Sequence, residues 1–164
     1  MSSFVRLMHY DPRWRQEFQQ TRSSILQSCE GWVSEVHHVG STAISGLIAR
    51  PIVDCVAVVS DPAGFEEASV CVEGLNFKVR TNPDWLTSGR FLAKPRAGDP
   101  THHVYLLVEG DGWIDRFLAV RNTLRDNPEI AVRFEETKVH QWKCNEGDAT
   151  QYQQAKSPFF EAVK

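Results

Sequence analysis

The sequence predicts an α/β fold of the α+β kind: a mixed β-sheet with flanking helices and a helical C-terminal third. Three observations carry this expectation. Apolar residues at helical spacing open the chain, short β-branched runs separated by turns fill its middle, and from Asp111 onward the pattern turns helical again. Strand runs followed by helix runs suggest a mixed sheet with helices packed to one side. With 164 residues the chain is one domain's length and buries a real core, so 1–164 is expected to be a single unit.

The elements follow in order. Asp11-Pro12 starts a helix, because Asp caps free amides and Pro suits the first helical position. Trp14, Phe18, Ile25, Leu26 and Cys29 recur at helical spacing until Gly31 stops them. Trp32 to Val39 reads as a strand, Ala43 to Ile48 as a short helix ended by Pro51, and Ile52 to Val59 as a second, largely buried strand. Asp61-Pro62 opens a helix to about Glu73. Phe77–Arg80, Arg90–Lys94 and His103–Val108 are strand candidates, with loops over Asn82–Gly89 and Pro95–Pro100. One helix then covers Trp113–Arg125, another starts at Asn127-Pro128-Glu129, and a third runs from about Asp148.

Composition narrows the function classes. The 41% hydrophobic and 24% charged fractions are ordinary for a globular protein. A net charge of −3 argues against a general nucleic-acid binder, while a local basic patch remains able to handle phosphate. The four cysteines form no CxxC pair, which leaves a zinc knuckle or redox motif unsupported. The N-terminus carries no apolar signal-like region, and Val56–Val59 is far too short to span a membrane. A reducing cytoplasm is the expected setting, with no membrane partner.

The stretch His37-His38-Val39-Gly40-Ser41-Thr42-Ala43 holds the densest chemistry. A strand that ends in Gly-Ser-Thr before a helical turn aims free amides and two hydroxyls at one point, which suits a phosphate. It also suits a plain strand-to-helix turn with a Ser/Thr cap. Asp54 sits in the otherwise apolar run Ile52–Val59. An ionised carboxylate there is expensive unless paired, hydrogen-bonded or metal-bound. It reads either as a metal or phosphate-site carboxylate or as a strand-end cap for a loop.

In Thr101–Val108, strand alternation places His102, Val104, Leu106 and Val108 on one face, and His103, Tyr105 and Leu107 on the other. His103 with Asp54 and water makes a divalent-metal site or positions a nucleophile; the alternative is a strand-end histidine bonded to backbone. Arg90 and Lys94 share one strand face. Phe134/Lys138 and Tyr152/Lys156 each place a lysine one helical turn after an aromatic, leaning over the sheet or merely solvating a helix. Arg121 either joins the site or pairs with Asp126 or Glu129.

The phrases Tyr10-Asp11-Pro12-Arg13-Trp14, His38-Val39-Gly40-Ser41-Thr42-Ala43 and Arg50-Pro51-Ile52-Val53-Asp54 resemble the GrpB family. So do Leu124–Glu129, Phe134–Lys138 and Tyr152–Lys156, in the same order over nearly the whole chain. The resemblance implies a nucleotidyltransferase-like fold. The family's domain is fused in some bacteria to dephospho-CoA kinase, which points toward nucleotide metabolism. In that superfamily a Gly-Ser turn binds nucleotide phosphates. About a dozen residues later a strand bears two carboxylates one residue apart, with a third on a neighbouring strand. Gly40-Ser41 and Asp54 match, and Val56 departs, standing where the second carboxylate belongs. Two-metal catalysis needs ligands for both ions, and one Asp does not supply them. The resemblance also selects His38 over His37, gives Arg50 the place of a usual lysine, and sets Tyr105 where many members carry a second histidine.

The functional expectation is a nucleotidyltransferase-like protein that binds a nucleotide or phosphorylated metabolite. Gly40, Ser41, Thr42, Arg50, Arg90, Lys138 and Lys156 would hold phosphate. Asp54 and His103 would carry chemistry and a magnesium or manganese ion, supported by His38 and Tyr105. The alternative is a non-catalytic nucleotide-binding module that has lost its full carboxylate set.

Overall fold

Both faces of the central strands are apolar, and this dictates the layering. In the computed structural model, which describes residues 7–127, 129–131 and 133, β1 (Val33–Val39), β2 (Val53–Val59), β3 (Lys78–Arg80), β4 (Arg90–Lys94) and β5 (His102–Val108) form one mixed sheet. The order is β1-β2-β5-β4-β3. The β2–β5 pair is parallel; β1–β2, β4–β5 and β3–β4 are antiparallel. β2 and β5 are buried along almost their whole length, as strands covered on both sides must be.

Two helices cover one face and a third covers the other. α1 (Arg13–Ser28) and α2 (Phe65–Glu73) pack Trp14, Phe18, Ile25, Ala68 and Val72 onto Val53, Cys55, Ala57, Val104 and Leu106. α3 (Gly112–Asp126) lays Phe117 over Val56, Val58, Tyr105 and Leu107, with Trp85 and Trp113 beside it. The expectation of helices on one side is therefore corrected. Strands with two apolar faces cannot leave one of them to solvent.

Local chemistry places the helix starts. Asp11 Oδ1 accepts from Arg13 N at 2.9 Å, and Asp111 Oδ1 accepts from Trp113 N at 2.9 Å. Asp61 likewise accepts from Ala63 N at 3.0 Å, but there the chain makes a 3-10 turn (Pro62–Gly64) before α2 begins. The short helix expected over Ala43–Ile48 is absent. A single 3-10 turn spans Ser41–Ala43, and Ile44 is already extended, with φ −108° and ψ 113°. Ile44 and Leu47 instead insert toward Val120 and Leu124 of α3, and Gly46 turns the chain at φ 82°. The helix expected at Asn127 begins there, with Ile130 N bonded to Asn127 O at 3.0 Å. The last expected helix lies outside the described residues. Among the described residues no helix is long and apolar enough to cross a membrane.

Candidate functional site

The site gathers where β1 ends and β2 and β5 begin. In register, Asp54 stands between Val39 of β1 and His103 of β5. Cα partners share a face, so the two polar side chains meet: His103 Nδ1 lies 3.1 Å from Asp54 Oδ1, with both side chains at most 15% exposed. With Asp54 ionised, the imidazole donates through Nδ1 and its Nε2 keeps the lone pair. Phe91 of β4 meets the imidazole edge-on at 4.8 Å, which fixes the ring from the far side. The pair that the sequence singles out is thus brought together by strand register alone.

Gly40 closes the site from above. Its backbone lies at φ 73° and ψ −172°, a region open only to glycine, and a Cβ there would overlap Asp54 Oδ2. The chain crosses the carboxylate at the distance a missing side chain allows. Next in sequence, Ser41 is 6% exposed, and its Oγ is a buried side-chain polar atom with no hydrogen-bond partner among the described residues. Thr42 takes a different role from the one expected. Its Oγ1 is 2.9 Å from His38 Nε2, so that hydroxyl is occupied inside the fold.

His38 sits on the opposite face from Asp54. It pairs with Cys55, and its ring stacks on Phe18 of α1 at 4.6 Å. Burial pushes its imidazole down to about 4; Asp54 opposes the shift, and Arg125, Arg121 and Arg15 reinforce it. It supports the turn through Thr42 rather than joining Asp54 and His103. Tyr105 does share their face, packed against Phe91 at 5.2 Å and Phe117 at 5.0 Å. Burial and then the Asp54 charge push its phenol up, while Arg50 pulls it down, so the charge of Arg50 reaches this face.

Arg90 is turned away. On β4 it alternates with Phe91, which faces Tyr105, so Arg90 points to the α2 side. There it makes two hydrogen bonds to Glu66, at 3.0 and 2.9 Å. The expectation that it holds phosphate beside Asp54 is corrected by strand alternation. Lys138 and Lys156 lie outside the described residues. His102, also on the α2 side, bonds Thr101 Oγ1 at 2.8 Å, and burial followed by the Lys94 charge lowers it to about 4.

Two arginines of α3 matter more than the sequence indicated. Arg121 donates from Nη1 to His38 O at 3.2 Å, and Arg125 donates from Nε and Nη2 to Ala43 O at 3.1 and 3.0 Å. One helical turn apart, they hold the end of β1 and the turn after it. Arg121 does not take the expected partners Asp126 or Glu129; its other bond is to Asn122 Oδ1. The i, i+4 spacing was visible in sequence, but its partners are backbone oxygens some eighty residues away, which no local pattern indicates.

The fold and much of the sequence have counterparts among known proteins. A crystal structure of the conserved protein GrpB from Enterococcus faecalis matches with a TM-score of 0.84 and 26% identity, covering 96% of this chain and 94% of that one. A UPF0157 protein of Halalkalibacterium halodurans is 29% identical over 97% of this chain and 80% of its own length. One from Streptomyces coelicolor is 29% identical over 98% and 82%, and one from Pseudomonas aeruginosa is 32% identical over 82% of this chain and 55% of its own. The sequence profile described as GrpB protein matches residues 4–164, and the chain belongs to the GrpB family.

Proposed function

We propose that this chain binds a nucleotide or another phosphorylated metabolite at the sheet end where Gly40, Ser41, Asp54 and His103 meet, and that Asp54 and His103 act there as an acid–base pair. The observation that carries this reading is the 3.1 Å Nδ1–Oδ1 contact between two register-paired, largely buried side chains. Asp54 fixes the tautomer and orientation of the imidazole. Nε2 is then the atom that takes or delivers a proton on the ligand. Ser41 Oγ supports the same reading, because a buried hydroxyl without a partner is costly unless a ligand supplies one. Arg50 adds positive charge on this face.

Magnesium or manganese belongs to this reading as the ion that accompanies the ligand's phosphates. The protein's donor set is the Asp54 carboxylate alone, since His103 donates to it through Nδ1 and uses Nε2 for the proton; among the described residues no three His, Cys, Asp or Glu side chains converge on one point. Such a set fits a single ion that completes its shell with phosphate oxygens and water. It does not fit a two-ion arrangement, because Val56 fills the second carboxylate position and is fully buried. Bound there, an ion would neutralise phosphate charge. The Val56 substitution favours a second reading, a nucleotide-binding module without transfer chemistry. The reducing cytoplasm is the compartment we assign, since Cys29, Cys55 and Cys71 are free thiols.

Thermal unfolding against a nucleotide panel, with and without magnesium or manganese, tests the binding claim. The parent is expected to be stabilised by at least one nucleotide, and Ser41→Ala and His103→Gln to lose most of that shift. Equal shifts in all three proteins would refute the site. Turnover by the parent that is lost in His103→Gln separates the enzyme from the module.

A further inference from the structure

A cleft of about 370 Å³ opens on the other side of the same turn, at the free edge of β1. Arg15 of α1 and Arg121 and Arg125 of α3 line it, together with His38, Gln19 and Tyr10. Among the described residues no Asp or Glu lines it. Three guanidinium groups therefore converge with no carboxylate among the described walls to neutralise them. Thr42 and Ala43 form the floor nearest the turn. The turn thus separates this cleft from the Asp54–His103 pair, against which Gly40 packs.

The arginines are anchored and only partly used. Arg121 spends Nε and Nη1 on Asn122 and His38 O, and Arg125 spends Nε and Nη2 on Ala43 O. One terminal nitrogen of each remains, Nη2 of Arg121 and Nη1 of Arg125. Arg15 is exposed, and its side chain makes no hydrogen bond to any described residue. The anchoring bonds matter because they hold two cations close despite mutual repulsion. Burial, and then the neighbouring Arg125 charge, lower the Arg121 guanidinium. An anion relieves both costs at once.

We infer that this cleft is an anion site separate from the Asp54–His103 pair, and that it takes a phosphoryl group, as free phosphate or as the phosphate of a small metabolite. Guanidinium forks match phosphate oxygens in geometry as well as charge. The volume admits a phosphate with a modest organic group attached. The inference does not depend on the acid–base pair, because it uses different side chains on a different side of the turn.

Calorimetric titration with inorganic phosphate, at an ionic strength held constant with sodium chloride, tests it. The parent is expected to bind phosphate above the chloride background. Arg15→Gln, which removes an exposed cation whose side chain bonds no described residue, should weaken binding by about tenfold or more, the loss of one charge-assisted hydrogen bond. Gln19→Glu, which keeps every arginine and adds an acid to the cleft, should weaken it as well. Arg90→Gln, which removes a cation held by Glu66 on the α2 side, should bind as the parent does. The inference is overturned if the parent shows no binding beyond chloride, or if Arg15→Gln and Gln19→Glu both bind unchanged. Loss in Ser41→Ala with Arg15→Gln and Gln19→Glu unchanged would place the phosphate at the acid–base site instead, which supports the function proposed above and removes the cleft. Tighter binding of a single-stranded oligonucleotide than of phosphate or phosphate monoesters would also overturn it, in favour of a nucleic-acid surface.

Discussion

Gly40 and Asp54 constrain each other at the scale of single atoms. The glycine is in a backbone region that costs other residues about 1–3 kcal/mol, and its missing Cβ is the space Asp54 Oδ2 occupies. Gly40→Ala is therefore expected to destabilise the protein by at least that amount, measured by urea unfolding. In Gly40→Ala combined with Asp54→Ala the overlap with Oδ2 disappears, leaving backbone strain and a tight 3.2 Å contact with the Cβ of residue 54, so the two changes should couple favourably. Strict additivity would show that the glycine serves its dihedrals alone. The sequence indicated a glycine kept for phosphate approach; in the folded chain it is kept for a carboxylate, so Gly40→Val reports on folding before it reports on binding. His38 and His102 make a second expectation. Both lie near 4 in the folded protein against 6.5 for the free side chain, so below pH 6.5 the unfolded chain binds more protons. Their contribution is whole above about 6.5 and is lost as pH falls toward 4, with a slope of up to about 1.4 kcal/mol per pH unit for His38. Urea midpoints between pH 7.5 and 4.5 should fall along this course, and His38→Gln should flatten it; an unchanged slope in the variant would assign the acid sensitivity elsewhere.

Among elements, α3 depends most on one residue. Asp111 caps its first turn through Oδ1 and holds Ser88 Oγ at 2.6 Å through Oδ2, tying the helix to the loop that carries Trp85. Asp111→Ala should cost about 1–2 kcal/mol for the cap and somewhat more for the loop bond. Hydrogen exchange should quicken first at Trp113 and Ile114. Exchange that quickens uniformly would argue against a local cap. The long elements were legible because their periodicity is set by burial on one face of a helix or both faces of a strand. α1, β1, β2, β4 and β5 all begin or end within about a residue or two of where their apolar runs and turn residues place them, the usual margin for such boundaries. The segment after Ser41 was not legible. Ile44 and Leu47 have helical spacing, yet they bury against α3, and the bonds that hold this segment come from Arg125 and from the Met8–Ala49 bridge. Tertiary partners decided what local propensity suggested otherwise.

For the molecule as a whole, the site falls where the helical cover on the α3 face gives way to the strand ends. Asp54 and His103 were legible as partners because a lone carboxylate in an apolar strand and a histidine opening another point to each other through strand pairing. Arg90 was not, since an alternation that fixes which residues share a face leaves unstated which face that is. The decisive expectation concerns the charge of Asp54. In Asp54→Asn the amide oxygen still accepts from His103 Nδ1–H, so geometry survives and the cost of a largely buried carboxylate is relieved. Unfolded in chelator, the variant should be as stable as the parent or more so. With nucleotide and magnesium present, the parent should gain about 2.7 kcal/mol at a hundredfold excess over the dissociation constant, because only the native state binds. The variant should gain little, since the cation loses its negative ligand. A structural Asp54 makes the reverse pattern: loop amides left poorly matched would cost the variant about 1–3 kcal/mol in chelator. If that loss appears beside a parent that gains nothing from any nucleotide or divalent ion, Asp54 serves the fold and the proposed site is lost with it.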